Sequence, residues 1–307
     1  MNLGQKKVLE RKAQLDSSSG RLKKKAGVSA LRVILYSILA VFTIVICLGI
    51  GAYRGIIASA PDISDVNIMP MGYATFVYDS DGNQMQRLTY AGGNRVSVSI
   101  EDIPVHMQHA IVAIEDSRFY EHNGVDPQGM LRAIAVAVSS GFQRTEGAST
   151  ITQQLLKNNV FTDWTEESTF ESIKRKIQEQ YLAVKLEKAL TEEGADTKAV
   201  ILENYLNTVN FGSGAYGVQT AAQTYFGKDC KDLTLSECAV LAAIPQNPTK
   251  WNPLNHPENN AIRRETVLDY MLEQGYITQA EHDEALADDV YTRIQQHAET
   301  ADTEAAP

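Results

Sequence analysis

A mainly α-helical domain, carried behind one transmembrane helix and a short β-containing linker, is the fold class the sequence predicts. Three observations point to it. Val33 to Tyr53 is a run of 21 residues without a charge. From about Ile103 onward, apolar residues recur at helical spacing. Residues 62 to 100 instead alternate in short pieces such as Ala74–Tyr78 and Arg95–Ser99, with Asp81-Gly82 as a turn signal. With 307 residues, 44% hydrophobic and 21% charged, the chain suits one globular domain with appendages, and disorder is excluded as the default.

The first 32 residues hold nine Lys and Arg against Glu10 and Asp16, so this stretch is +7 and the remainder of a −10 chain is −17. It reads as a polar, basic, disordered tail. At about 1.5 Å per residue the uncharged run that follows spans roughly 31 Å, a hydrocarbon core's thickness. Ala58-Ser59-Ala60 resembles a signal-peptidase site, but the apolar run exceeds the usual signal length and Pro61 follows the would-be cut, so an uncleaved anchor is expected. The basic cluster, against Arg54 just beyond the span, puts the N-terminus in the cytoplasm and everything after Tyr53 outside. Cys230 and Cys238 remain as the extracytoplasmic pair. That imposes no disulfide framework; a bridge stays open, although Cys238, in the helical run Leu235 to Ala243, reads more simply as a small buried residue.

Met107, Ala110, Ile111 and Ile114 form the buried stripe of a helix that Glu115-Asp116 closes. A carboxylate at the edge of such a stripe is partly desolvated, which raises its pKa and suits a general base; a solvated helix end carries the same pair. His122, a few residues on, is a hydrogen-bonding support for this motif. Asp126-Pro127 starts the next helix with a cap residue and a proline in the first turn, and its body, Met130 to Val138, is apolar almost all round, as in a core helix. In Gly147-Ala-Ser-Thr-Ile-Thr-Gln-Gln154, Thr150 and Gln153 match a capping box, with Lys157 one turn further. Backbone N–H groups at a helix start beside an ammonium suit a phosphate, although a capped surface helix has the same pattern.

Phe170 to Leu190 carries two stripes. Ile173, Ile177, Tyr181 and Val184 make one; Arg175, Glu179, Leu182, Leu186 and Leu190 make the other, so a charged pair runs directly into an apolar row. Glu179 therefore faces protein or substrate, or forms an exposed pair of no consequence. Gly212-Ser-Gly214-Ala-Tyr-Gly217 is literally G-x-G-x-x-G, but a helical pattern, Val200 to Asn207, precedes it, which excludes a dinucleotide site and leaves a tight helix–helix turn before Val218 to Tyr225. The six histidines show no spacing typical of a zinc site. From Thr278 the chain turns acidic and Ala-rich, like a linker or frayed end.

Taken in order, Glu115-Asp-Ser-Arg-Phe119-Tyr-Glu-His122-Asn-Gly124, Gly147 to Gln154, Arg175-Lys-Ile-Gln-Glu179, and Ile201 to Asn207 with Phe211 to Gly217 resemble the peptidoglycan glycosyltransferase domain (glycosyltransferase family 51) of class A penicillin-binding proteins, over about residues 75 to 275. The resemblance implies a lysozyme-like head with a small membrane-proximal jaw that polymerises lipid II. It implies Glu115 as general base, Glu179 as second essential carboxylate, and Lys157, Arg175 and Lys176 as cations for the leaving pyrophosphate. Asp116, Phe119, His122, Ser149, Thr150, Gln153 and Gln154 complete the implied substrate site. No tightly bound cofactor is implied; Mg²⁺ or Mn²⁺ accompanies the pyrophosphate in some members. The expected partners are lipid II, the growing glycan strand, membrane lipid and cell-wall synthesis or division proteins, with no nucleic acid. The expected division is a cytoplasmic tail (1–32), a transmembrane helix (33–54), a linker with short β segments (55–100), the glycosyltransferase domain (101–277) and an acidic linker or frayed end (278–307). No S-x-x-K motif follows, so the chain reads as monofunctional or as the N-terminal piece of a longer protein, the second favoured by its low-complexity ending. A lytic transglycosylase or lysozyme-like hydrolase, and a non-catalytic lipid II-binding scaffold, are the rival readings.

Overall fold

The computed structural model describes every residue except 1, 2, 17, 71, 83, 89–93, 142, 144–146, 162–166, 306 and 307. It divides into two units, Met1–Ser59 and Ala60–Pro307.

The first unit is helical. α1 spans Leu3–Asp16 and α2 spans Ser18–Ala58, within which Gly27–Ala58 is long and apolar enough to cross a membrane. The expected disordered tail is thus corrected to helix. Its Lys, Arg, Leu, Ala and Gln residues are good helix formers, and residues 18–32 lie in the same helix as the apolar run, so that stretch needs no nucleus of its own.

The second unit opens with a two-stranded antiparallel sheet, β1 (Thr75–Tyr78) and β2 (Gln84–Leu88). The turn falls where Asp81-Gly82 signalled it: the Gly82 N–H bonds the Asp79 carbonyl and Gly82 has φ +84°. Arg95–Ser99 does not form the expected strand. Tyr73 and Arg95 make an isolated bridge, and Val98 bonds through its backbone to the Asn207 side-chain amide instead of to a neighbouring strand.

Helices build the rest: α3 (Val105–Glu115), α4 (Pro127–Ser139), α5 (Ile151–Asn159), α6 (Thr169–Glu192), α7 (Thr197–Thr208), α8 (Val218–Phe226), α9 (Leu235–Ala242), α10 (Pro257–Glu273), α11 (Gln279–Ala287) and α12 (Val290–Ala305). Met107, Ala110 and Ile111 of α3 are buried in a core that also takes Leu155, Tyr205, Phe211, Tyr225, Val240 and Leu268. A smaller cluster, Leu156 with Leu182, Ala183 and Leu186, joins α5 to α6. α5 therefore packs in two directions.

Two expectations fail here. α4 is not a core helix: Gly129 is its one buried residue, and Leu131, Ile134 and Val138 stand 58 to 68% exposed. An apolar helix need not be covered by protein if something other than water covers it. The end of the chain is not a linker either, because Ala285, Val290 and Ile294 are buried in the main core and the His297 ring reaches the Gln223 carbonyl at 3.1 Å. Thr278, with Glu281, caps α11 as a full capping box, and the periodic apolar residues behind it were masked by the Ala- and Glu-rich composition.

The Gly212–Gly217 segment is the tight turn its context predicted. Gly217 has φ +80°, and a Cβ there would lie 2.8 Å from the Asn207 carbonyl oxygen. Cys230 and Cys238 are both buried and unbridged. Burial pushes the Cys230 thiol up to about 11 and the Cys238 thiol higher still.

Candidate functional site

α3 ends where its apolar stripe ends, and its last residue, Glu115, enters a cavity of about 540 Å³. Asp116, Ser117, Ser149 and Thr150 line the same cavity, and α10 and the loop before it supply Gln246, Arg263, Thr266, Tyr270, Glu273 and Gln274. Glu115 Oε2 accepts from the Gln154 amide at 3.0 Å. Oε1 has no hydrogen-bond partner, and the nearest cation, Arg263, stands at 3.8 Å. Burial raises the carboxyl above its ordinary 4.5 and the Asp116 charge adds to the rise, while Gln154 and Arg263 pull the other way. The carboxylate is therefore a stronger base than an exposed glutamate, with one oxygen left to accept a proton.

Asp116 and His122 act behind it. The His122 ring lies 2.9 and 3.0 Å from the two Asp116 oxygens, and Asp116 Oδ2 accepts the Ile151 N–H at 3.0 Å. Thr150 accepts the Gln153 N–H and donates to the Gly124 carbonyl. Two of the N–H groups that open α5 are thus satisfied by the chain's own side chains, so the anion this helix start holds is Asp116. The capping box forms in one arm only: the Gln153 side chain is buried and its Nε2 lacks a partner. Phe119, expected at the substrate, is in the core with the Lys198 ammonium 4.5 Å above its ring. That ammonium also donates to the His122 carbonyl and pairs with buried Glu187, which accepts from Thr152, so α5, α6 and α7 all fix the first motif's loop.

The cations form a second group. On α6, Glu179 is fully buried; Arg175 meets one of its oxygens and the Lys176 ammonium the other at 2.7 Å. Arg175 also pairs with Glu167 at 2.8 Å. Burial lowers the Lys157 ammonium, and the charges of Arg175 and Lys176 lower it further, against the pull of Glu179 and Glu167. Lys176 Nζ donates to Ser149 Oγ at 3.0 Å. Ser149 lines the cavity with Glu115, so contacts from Glu179 through Lys176 reach the cavity's edge at Ser149, but the Glu179 carboxylate itself is not among the lining groups.

The sequence reading missed Arg263, Gln246 and Tyr270, because neither α10 nor the loop before it carries a signal that it returns to α3. Arg263 donates to the Ala243 carbonyl and lies over the Trp251 ring, which holds it against Glu115. Tyr205 was legible within a motif but without a role; its hydroxyl donates to Gln154 Oε1 at 3.0 Å. A larger cavity of about 800 Å³ lies between α9, α11 and α12 and holds none of the predicted site residues. Among the described residues no group of three or more His, Cys, Asp or Glu is placed to hold a metal.

The transglycosylase family profile matches residues 81–272, more than half of the chain. The chain is a member of the transglycosylase family. Penicillin-binding protein 1A of Escherichia coli is 41% identical over 81% of this chain and 28% of its own length. The proteins of that name from Aquifex aeolicus (41% identical, 81% of this chain, 33% of that one) and Clostridium botulinum strain Langeland (36%, 88% and 32%) match similarly. This transglycosylase chain thus spans about a third or less of those relatives. A crystal structure of penicillin-binding protein 1A from Haemophilus influenzae aligns at a TM-score of 0.38 and 24% identity, over 72% of this chain and 21% of that one.

Proposed function

We propose that the chain is a peptidoglycan glycosyltransferase that polymerises lipid II into β-1,4 glycan strands from the outer face of the plasma membrane. One observation carries this reading: a half-bonded, buried carboxylate, Glu115, in a cavity whose edge, Ser149, is tied to a cluster of cations. Glu115 Oε1 takes the proton of the acceptor sugar's 4-hydroxyl. The acceptor's hydroxyl oxygen attacks C1 of the donor sugar from the face opposite the leaving group, and the C1–O bond breaks with its electron pair passing to undecaprenyl pyrophosphate, so C1 inverts. Lys157, Arg175 and Lys176 offset the charge that leaves. Glu179 holds Arg175 and Lys176 in place and acts through them.

A strongly acidic ectodomain suits this anionic substrate because the local field in a cleft outweighs net charge. Mg²⁺ or Mn²⁺, where one takes part, comes with the pyrophosphate. Residues 33–54 anchor the enzyme, with residues 1–32 in the cytoplasm, and confine it to the surface where its lipid-linked substrate diffuses. Residues 101–277 supply a lysozyme-like head. α4 and the start of α6, with Leu131, Ile134, Val138, Phe170 and Ile173 exposed, supply a jaw that rests on lipid.

A lytic transglycosylase shares a single catalytic glutamate, but its leaving group carries no pyrophosphate, and three clustered cations favour synthesis. Purified full chain in nanodiscs, incubated with labelled lipid II, tests the reading. Polymer is expected; cleavage of supplied glycan without polymer supports the lytic enzyme, and monomer bound without turnover supports a scaffold.

A further inference from the structure

Gln154 is the residue that touches the base, and an amide can touch a carboxylate in two ways. With its N–H toward Glu115 it stabilises the ionised form; turned by 180°, it presents its carbonyl oxygen and destabilises that form. The shape of the amide is nearly the same either way, so packing does not choose between them. A second hydrogen bond must.

Tyr205 supplies it. The ring is wholly buried at the centre of the main core, so the hydroxyl has little room to point elsewhere. Burial raises the phenol well above its ordinary 10, and the nearby charges of Glu115 and Asp116 raise it further. The group stays protonated across the working range and so keeps a proton to donate to Gln154. Its acceptor is Gln154 Oε1 at 3.0 Å, which leaves Nε2 for Glu115 Oε2, also at 3.0 Å.

We propose that Tyr205 is a positioning residue for the base: its hydroxyl fixes the Gln154 amide so that the N–H meets Glu115 Oε2 and Oε1 remains the oxygen without a hydrogen bond, the one with capacity for the acceptor proton. No proton passes along this chain of bonds. The inference rests on the reading of Glu115 as general base, and it adds a residue from α7 that never touches substrate. The charged and titratable groups that face Glu115 or line its cavity are its neighbour Asp116, Tyr205 from α7, Asp126 and Arg132 from the start and body of α4, and Arg263, Tyr270 and Glu273 from α10. Tyr205→Phe removes one hydroxyl and leaves the other six groups where they are.

The test uses full chain in nanodiscs with ¹³C-labelled glutamate. The Glu115 carboxyl is titrated by infrared difference spectroscopy, its band assigned by its loss in Glu115→Gln, and lipid II polymerisation is followed across the same pH range. In Tyr205→Phe the Glu115 midpoint rises by about one pH unit, the acid limb of the rate profile rises with it, and the rate on that limb falls about tenfold. A purely structural role lowers the melting temperature and leaves both midpoints in place. In a Gln154→Leu background, Tyr205→Phe adds no further shift. An unmoved midpoint in folded Tyr205→Phe overturns the proposal, as does a shift that persists without Gln154. Should Tyr205→Phe fail to fold, Gln154→Leu decides: it removes the amide and keeps the ring, and an unmoved Glu115 midpoint there is equally fatal. Wild-type chain that titrates as described but makes no polymer sinks the base reading and leaves the amide lock standing.

Discussion

Glu179→Gln separates the two acids by what each does. In the folded chain Glu179 is completely buried and each of its oxygens meets a cation, Arg175 on one side and Lys176 on the other. The glutamine is isosteric but neutral. It leaves Arg175, whose side chain is 9% exposed, with Glu167 as its carboxylate partner, and deprives Lys176 of the carboxylate that holds it toward Ser149. Because Arg175 keeps Glu167 and Lys176 is 42% exposed, the loss falls short of the full penalty for a stranded buried charge, at about 1 to 3 kcal/mol. For a domain of this size each kcal/mol moves the midpoint by about 2 to 4 °C, so melting should fall by roughly 2 to 12 °C. Differential scanning fluorimetry of the full chain in detergent measures it. Converting the pair to apolar residues, Arg175→Met with Glu179→Leu, should recover part of the lost stability and none of the polymerisation, since the fully buried position no longer holds a polar group, but Glu167 and Lys176 lose their partners and the cations are no longer held. If Glu179→Gln melts with the native chain, the buried network is not what Glu179 is for, and a direct role at the reacting atoms has to replace it.

Glu115→Gln should lower polymerisation by at least about 10²-fold with the fold intact, measured as initial rate on labelled lipid II. Its stability should show the opposite sign to that of Glu179→Gln. The folded carboxyl titrates above its ordinary 4.5, so its contribution is fully present below that value and is lost as pH rises through the folded value; the variant should therefore melt higher relative to wild type at pH 7 than at pH 4. Gly124→Ala should destabilise by about 2 kcal/mol or more, read from a denaturant midpoint, because Gly124 has φ +84° and a Cβ there would lie 2.5 Å from the Ala183 backbone of α6. A bimane attached through Ile134→Cys in a Cys47→Ser background should be quenched by spin-labelled lipid in nanodiscs, and a dye quenched only by aqueous iodide would remove α4 from the membrane surface.

Much of the fold was legible because its signals are local. α6, read as Phe170 to Leu190, runs Thr169–Glu192, and its Arg175–Glu179–Leu182–Leu186 row is the buried one, as the step from charge into apolar residues suggested. The same logic went wrong where composition stood in for packing. Residues 279–305 look like a linker by their Ala and Glu content, yet Ala285, Val290 and Ile294 recur at intervals that put them on the core side of two short helices. α4 went wrong for a different reason. Periodicity reports that a face avoids water; it carries no information on whether protein or lipid covers that face.

The site was legible only in part, because it is built across long separations. Glu115, Ser149 and Arg263 meet in one cavity from three parts of the chain, and no spacing rule connects the third to the other two. Motif residues also divide in a way that sequence order hides. Phe119, His122 and Gln153 lie among the chemistry in sequence but behind it in space, where they anchor the loop and helix that present Glu115 and Gln154. A side chain that supports a reacting group looks the same in sequence as one that touches substrate. What tells them apart is whether polar capacity remains after the protein's own contacts are made. By that criterion Asp116 is committed to His122 and Ile151, Glu179 is committed to Arg175 and Lys176, and Glu115 still has an oxygen to offer. It follows that exchanging the two glutamates' surroundings, by removing Gln154 and Arg263 from one or Arg175 and Lys176 from the other, would unfold the second acid's region long before it made a base of it.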